Sequence, residues 1–399
     1  MKIGLNHFFI HIMNRGVLMI KKWFICLCVC LLCISISPVY ATELQLAPNA
    51  SASLLMEASS RQVLYANNEK TKLFPASTTK IMTMILLFEA IEKGSLKWDE
   101  ELTCSAYAAS MGGSQIYLEE GEKMNVEDLF KAISIASAND ACVMVGERIA
   151  GTNDNFVKMM NEKAKELKLV NTHFVNSTGL HDDEHYTCAL DLGTMAAYLI
   201  EIGGERLFQT TSLYDSYIRE DTAHQFWLVN TNKLLKSYQG ADGLKTGYTK
   251  EAGYCIVSTA KRNGLRLIGI VLKESDPKVR NQEVSQLLDY GFSLYENKIL
   301  FQKNDVIEKI KIDHAKVPEV EVIVKEDVQY IQDKNDTTKV TYQINYTNLV
   351  PPLKKGEIIG HLLLMRGSVN IGSFDVTVKT DVEALSFGEK VVQQLKEFI

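Results

Sequence analysis

The chain has 399 residues, of which 46% are hydrophobic and 23% charged, an ordinary globular composition with room for two or three domains. A formal net charge of -6 and the lack of any long basic run exclude the electrostatic footprint of a nucleic-acid-binding protein.

The first segment reads as an address, not as part of the fold. Lys21 and Lys22 precede an apolar run over 23–36, followed by Pro38 and the small-residue pattern Val39-Tyr40-Ala41. This is the pattern of a secretory signal peptide over 1–41, cut after Ala41, and the apolar run is short for a membrane-spanning helix. Met19 offers an alternative start, because residues 1–18 would make a long n-region. The mature protein is therefore expected outside the cytoplasmic membrane, in the cell wall space. Cys26, Cys28, Cys30 and Cys33 fall within the leader, which leaves Cys104, Cys142, Cys188 and Cys255. These four are widely scattered in a domain large enough not to need staples, which favours buried free thiols, and none forms a Cys-x-x-Cys pair of the kind a structural metal site uses.

Downstream, 52–57 and 62–66 read as two strands around a Ser59-Ser60 turn. Pro75 then ends an extended run, and Ser77-Thr78-Thr79-Lys80 opens an almost wholly apolar segment that continues to Ile91 and stops at Gly94. With apolar residues on every side this helix is expected to be central and buried, with Ser77 as N-cap or first-turn residue. Residues 126–150 are helical in pattern apart from a break at Ser137-Ala138-Asn139. An amphipathic helix rich in Lys and Glu follows at 155–169, and another is expected over 191–201. After Gly253 the period changes to two: 254–260 and 265–272 flank a Lys261-Arg262-Asn263-Gly264 turn and form a hairpin. Near Asn297 the composition shifts to short β-branched segments at 319–324, 339–346, 357–365 and 370–380, the mark of a small all-β domain. Residues 381–399 return to helical spacing, with Ala384, Leu385, Val391, Val392, Leu395, Phe398 and Ile399 on one stripe. Strands at both ends of the first part with helices between them predict an α+β fold, an antiparallel sheet flanked by helices.

Three short motifs carry chemistry. Ser77 and Lys80 stand three residues apart, so on a helix they share a face and the amine can take the hydroxyl's proton. Partial desolvation lowers the lysine's pKa, and first-turn amides with the positive end of the helix dipole favour an oxyanion beside Ser77. Ser137 and Asn139 sit at a turn between helical runs that can aim a second hydroxyl and a carboxamide into a cleft. Lys245-Thr246-Gly247 lies in 242–249, just before the hairpin. A strand edge there offers backbone pairing to an extended substrate, Gly247 admits close approach, and Lys245 with Thr246 can bind a carboxylate. Each triplet alone is weak, but all three in this order form a specific signal.

With these motifs the chain resembles the serine penicillin-recognising enzymes, and more closely the low-molecular-mass D-alanyl-D-alanine carboxypeptidases. The resemblance covers roughly 44–380 and includes the 75–80 segment, Gly113-Ser114, Asn176-Ser177-Thr178-Gly179-Leu180, His185-Tyr186, Asn230-Thr231-Asn232, residues 242–248 and Ala252-Gly253-Tyr254. It implies a β-lactamase/transpeptidase-like domain at 42–296, an all-β domain at 297–380 and an amphipathic helix at 381–399. It implies that Ser77 attacks the carbonyl between the two terminal D-alanines of a cell-wall stem peptide, with Lys80 as general base. Ser137 then relays a proton to the leaving amine, Asn139 holds the substrate amide and Lys80, and Lys245 gives positive potential. Thr246, with Arg280, binds the terminal carboxylate, and the backbone amides of Ser77 and Tyr248 form the oxyanion hole. No cofactor is implied, and β-lactams are expected to be trapped as slow-clearing acyl-enzymes.

Three other readings compete. A β-lactamase shares the triplets but needs an added carboxylate base; Glu166 in 166–171 loosely fits such a loop, yet it falls inside the amphipathic 155–169 helix. A catalytically silent wall-binding protein would keep the fold, although all three motifs are intact. A metal enzyme is suggested by His181 and His185 around three acids, but Gly179 and the acid run indicate a loop and no third ligand is evident, so no metal is expected. The terminal helix invites a peripheral membrane anchor, against which its Glu383, Glu389 and Glu397 stand.

Overall fold

The computed structural model of the protein describes residues 44–220 and 222–397. The expected leader, its four cysteines, Phe398 and Ile399 lie outside the described residues. The first part is built on a five-stranded antiparallel sheet of β1 (Ala52–Glu57), β2 (Val63–Asn67), β3 (Ala241–Thr249), β4 (Gly253–Arg262) and β5 (Leu265–Glu274), in the order β2-β1-β5-β4-β3. The chain's first and last strands of this part, β1 and β5, thus pair at the centre, and β3, which bears Lys245-Thr246-Gly247, lies at an edge. The β4–β5 hairpin closes through Asn263 and Gly264, both at positive φ (49° and 81°), the geometry that two-residue turns require.

Alternation along the strands sends side chains into two cores. Leu54 and Met56 of β1 join one buried cluster and Leu55 the other; likewise Ile268 and Ile270 of β5 face one side, Leu267 and Val271 the opposite. The larger core is organised around α1 (Lys80–Glu92), whose Ile81, Met82, Met84, Ile85 and Leu87 are all fully buried, as its all-round apolar pattern predicts. Packed with it are α2 (Val126–Lys131), α3 (Asn139–Ala150), α4 (Asn153–Glu166) and α5 (Ala189–Thr211). The last runs well beyond the expected 191–201 and is broken at Gly204 (φ 46°). The second core lies under α6 (Pro277–Leu294), which starts cleanly because Asp276 accepts from the Lys278 and Val279 amides and Pro277 needs no partner.

Beyond α6 the chain passes into strands: β6 (Tyr295–Phe301), β7 (Val306–Ile310), β8 (Val320–Val324), β9 (Val328–Asp333), β10 (Val340–Tyr346), β11 (Gly360–Arg366) and β12 (Val369–Val378). Five of them form an antiparallel sheet in the order β7-β8-β12-β11-β10, and β6 pairs with β9. Val322, Val324, Leu362, Leu364, Val376 and Val378 fill its separate core. The final helix, α7 (Phe387–Glu397), begins later than its hydrophobic stripe suggests. Val382 and Ala384 instead form bridges to Leu353 and Ala315, so residues 381–386 belong to the β part. Cys104, Cys142, Cys188 and Cys255 are buried, and among the described residues they are free thiols.

Candidate active site

The nucleophile motif folds as a short turn rather than as the first turn of a regular α-helix. Residues Ala76–Thr79 form a 3₁₀ turn behind Pro75, and α1 proper starts at Lys80. Ala76 is at φ 47°, an uncommon conformation for a residue with a Cβ, and it presents Ser77 half-exposed above the buried helix. Lys80 is fully buried, and its ammonium donates to Ser77 Oγ (3.0 Å), Asn139 Oδ1 (2.7 Å) and the Thr178 carbonyl (2.7 Å). Burial lowers its pKa to about 8, with the Cys142 thiol and the Asp140 carboxylate pulling the other way.

The second motif stands where α2 ends. Residues Ala132–Ala136 widen into a single π turn, and Ser137 reverses the chain in a left-handed conformation (φ 66°, ψ 30°) before α3 begins at Asn139. The Ser137 hydroxyl is buried and makes no hydrogen bond among the described residues. Asn139 is held at three points: Nδ2 donates to the Gly112 carbonyl (2.7 Å), its amide donates to the Ser114 carbonyl (2.7 Å), and Oδ1 accepts from Lys80. Asp140, fully buried, accepts from the amides of Ile116, Leu118 and Ala141, and so fixes the 112–118 segment against α3. Between the two clasped amides, Tyr117 adopts φ 56° and stands exposed.

The third motif meets the first through Gly247. A Cβ there would lie 2.9 Å from the Ser77 amide nitrogen and 2.9 Å from the Pro75 carbonyl, so β3 runs directly against the nucleophile turn. Lys245 is buried and donates to the Thr246 carbonyl (3.0 Å); burial, joined by the charge of Lys80, pushes its amine well below the usual lysine range. The Thr246 hydroxyl donates to Thr231 Oγ1 (2.7 Å), and Tyr248, 57% exposed, stacks on Tyr254 at 4.4 Å. Arg280 is the residue that does not join the group by direct contact. It is buried on α6, one strand behind β3, with its guanidinium donating to Asn281 Oδ1 and the Cys255 carbonyl.

A loop not assigned any role by the sequence closes the base from the other side. Asn176 Oδ1 accepts from the amides of Thr178 and Gly179 and from the Thr178 hydroxyl, a side-chain turn that aims the Thr178 carbonyl at Lys80. Gly179 (φ 86°) is forced: a Cβ there would come within 1.9 Å of the Ala76 carbonyl oxygen. His185 ties this loop to the nucleophile turn. Its Nδ1 accepts from the Val175 amide (3.1 Å), which assigns the proton to Nε2, the donor to Thr79 Oγ1 at 2.8 Å. Burial lowers the His185 pKa to about 4. A cue was present in Asn176-x-x-Gly179 followed by a histidine; what the histidine binds was not legible, because Thr79 is 106 residues away. His181 packs on Phe74, with its Nε2 3.5 Å from an Asp183 carboxylate oxygen. Glu166, the residue of the β-lactamase reading, ends α4 on an exposed face and pairs with Lys163 at 2.6 Å.

Ser77, Lys80, Ser137, Asn139, Lys245 and Thr246, separated by up to 169 residues, thus lie on three elements that the structure brings together, with the Ser77 hydroxyl bonded to a buried amine and the Ser137 hydroxyl buried without a hydrogen-bond partner among the described residues. Such an arrangement suits acyl transfer. The chain is similar to known proteins along most of its length. Residues 40–276 match the D-alanyl-D-alanine carboxypeptidase family, and 295–384 match the C-terminal domain of penicillin-binding protein 5. The D-alanyl-D-alanine carboxypeptidase DacF of Bacillus subtilis is 42% identical over 347 residues, 86% of this chain and 88% of the relative. Penicillin-binding protein 5 of Haemophilus influenzae superposes with a TM-score of 0.68 at 28% identity, over 86% of this chain and 99% of that one. Penicillin-binding protein D2 of Listeria monocytogenes, solved in an ampicillin-bound form, gives a TM-score of 0.55 at 34% identity over 61% of this chain and 98% of its own. By fold, motif order and similarity along most of its length, the chain belongs to the D-alanyl-D-alanine carboxypeptidase family of penicillin-binding proteins.

Proposed function

We propose that the protein removes the terminal D-alanine from peptidoglycan stem pentapeptides through an acyl-enzyme on Ser77. The observation that carries this reading is the 3.0 Å hydrogen bond between Ser77 Oγ and a buried Lys80 whose pKa is about 8. With Lys80 neutral, Ser77 Oγ gives its proton to Nζ as it bonds to the carbonyl carbon of the penultimate D-alanine. The oxyanion is met by the amides of Ser77 and Tyr248, a pairing supported by the close approach of Gly247 to the Ser77 amide. The C–N bond then breaks, the leaving amine takes a proton from the Lys80 ammonium through the Ser137 hydroxyl, and D-alanine departs. Water attacks the ester with Lys80 again as base, which restores Ser77 and releases the shortened peptide.

Recognition falls to β3 and its neighbours. An extended substrate adds its backbone to the β3 edge, Asn139 meets its amide, and the terminal carboxylate sits at Thr246 with Lys245 behind it. Two buried ammonium groups oppose each other, so an anionic substrate favours the charged form of Lys245. Arg280 acts at one remove, as a positive charge behind Cys255 and not as a direct ligand. β-Lactams acylate the same serine, and the exposed, ion-paired Glu166 offers no second base for rapid clearance.

We also place the mature protein outside the cytoplasmic membrane after cleavage at Ala41, in peripheral contact with that membrane through α7, where Phe387, Val391 and Val392 are exposed. Among the described residues no helix is long and apolar enough to cross a membrane. Salt-washed vesicles should retain the protein better than a version ending at residue 380; equal release contradicts the contact. For the catalytic reading, incubation with a fluorescent penicillin and peptide mapping should find one adduct, on Ser77. An adduct elsewhere, or labelling that survives Ser77→Ala, overturns it.

A further inference from the structure

We infer that Tyr217 and Trp227 form a stacking platform for a sugar ring of the glycan strand. The inference rests on the stem-peptide reading above and extends it to the carbohydrate that carries the peptide.

The platform is one face of a short hairpin, Asp215–Ile218 paired with Phe226–Val229. Tyr217 and Trp227 are directly opposed in its register. They are 43% and 55% exposed, whereas Ile218 and Leu228 on the other face are fully buried. Two large rings side by side on a solvent-facing surface are unusual, because such area is ordinarily buried or used for binding. Asp215 lies on the same face as Tyr217, two residues away, and supplies an exposed carboxylate that can accept from hydroxyls. Flat rings beside a hydrogen-bond acceptor suit a pyranose, which offers C–H bonds on its faces and hydroxyls at its rim.

The hairpin is fixed to the candidate site at several points. The Thr231 hydroxyl accepts from Thr246, and its amide donates to the Ile135 carbonyl, two residues before Ser137. On the buried side Phe226 meets Tyr117 at 6.0 Å, and Arg219 donates to the Ile116 carbonyl and to Glu122. Ile116 and Tyr117 belong to the segment that Asp140 clasps, so the platform and Asn139 share one support.

The spacing agrees with the occupant. A strand rises about 3.3 Å per residue, so Trp227, four residues before Thr231, lies no more than about 13 Å along the chain from the Thr231–Thr246 hydrogen bond. Five extended residues span roughly 17 Å between the terminal carboxylate and the sugar, so the platform lies within the substrate's reach.

Two measurements on the full-length protein test this. D-alanine release is compared between diacetyl-Lys-D-Ala-D-Ala and a disaccharide pentapeptide, and tryptophan emission is followed during titration with chitotetraose, a peptide-free N-acetylated glycan. Trp98 packs between Phe88 and Phe130, so the difference from a Trp227→Phe variant isolates the Trp227 signal. In Tyr217→Ala and Trp227→Ala, kcat/KM for the disaccharide pentapeptide should fall about three- to tenfold, the range of one aromatic contact, with tripeptide turnover held within about twofold. Chitotetraose should change Trp227 emission saturably, and less so in Tyr217→Ala. Equal losses on both substrates, no loss on either, or emission indifferent to chitotetraose overturns the platform. Absence of tripeptide turnover in the unaltered protein would instead count against the stem-peptide reading, while the titration still decides on the sugar.

Discussion

The pH dependence of acylation follows directly from the environment of Lys80. Its pKa of about 8, against an ordinary 10.5, leaves roughly one amine in ten neutral at pH 7, where an unperturbed lysine would offer roughly one in three thousand. That difference corresponds to about 3 kcal/mol of differential stabilisation of the neutral base, supplied by burial and opposed by Cys142 and Asp140. The sign is fixed by the chemistry: only the neutral amine can accept the Ser77 proton, so the rate must rise with pH. Second-order rate constants for labelling by a fluorescent penicillin between pH 6 and 10 should climb about tenfold per unit at the acid end and level off above about 8. Since Lys245 titrates in the same pocket, the inflection is an apparent value of the pair. A profile flat from pH 6 to 9, or one still rising in proportion to hydroxide at pH 10, would refute Lys80 as the base.

Three further outcomes follow from the geometry. Gly179→Ala must displace the Ala76 carbonyl that its Cβ would overlap, and should cut penicillin acylation by about a hundredfold while circular dichroism still reports a folded protein. His185 is neutral in the native state with a pKa near 4, against 6.5 when unfolded. The unfolded chain therefore binds the extra proton first, and stability should fall by about 3 kcal/mol as pH drops from 6.5 to 4. Urea titrations should show His185→Gln with a shallower loss over that window, and an unchanged slope would count against the buried neutral ring. Glu166→Ala should leave clearance of the penicilloyl adduct unaltered within about twofold; a marked slowing would revive the β-lactamase reading.

What could be read in advance divides along locality. Ser77 and Lys80 were legible as a pair because three residues on a helical turn place them together, and Ser137 because its break in the helical pattern is itself a local event. The hairpin at Asn263-Gly264 was likewise written in turn chemistry. The supports of the site were not: Thr178 reaches Lys80 across 98 residues and Thr231 reaches Thr246 across 15, through contacts that no periodicity encodes. The positive φ at Ala76 and at Tyr117 goes with contacts from distant segments, Gly179 against the Ala76 carbonyl and Asp140 on the amides beside Tyr117, and leaves no mark of its own in composition. Short strands such as Asp215–Ile218 and Val306–Ile310 fall below the length at which alternation is distinguishable from chance. The start of α7 was misplaced for a related reason. Val382 and Ala384 fit an apolar helical stripe and a period of two equally well, and their bridges to Leu353 and Ala315 decide for the latter.

The central claim is that Ser77, activated by Lys80, cleaves a terminal D-alanyl-D-alanine bond. Its most direct test is D-alanine release from diacetyl-Lys-D-Ala-D-Ala, measured for the unaltered protein and for Ser77→Ala. Release by the first and none by the second is the predicted result; no release by the unaltered protein, or equal release by both, would contradict it.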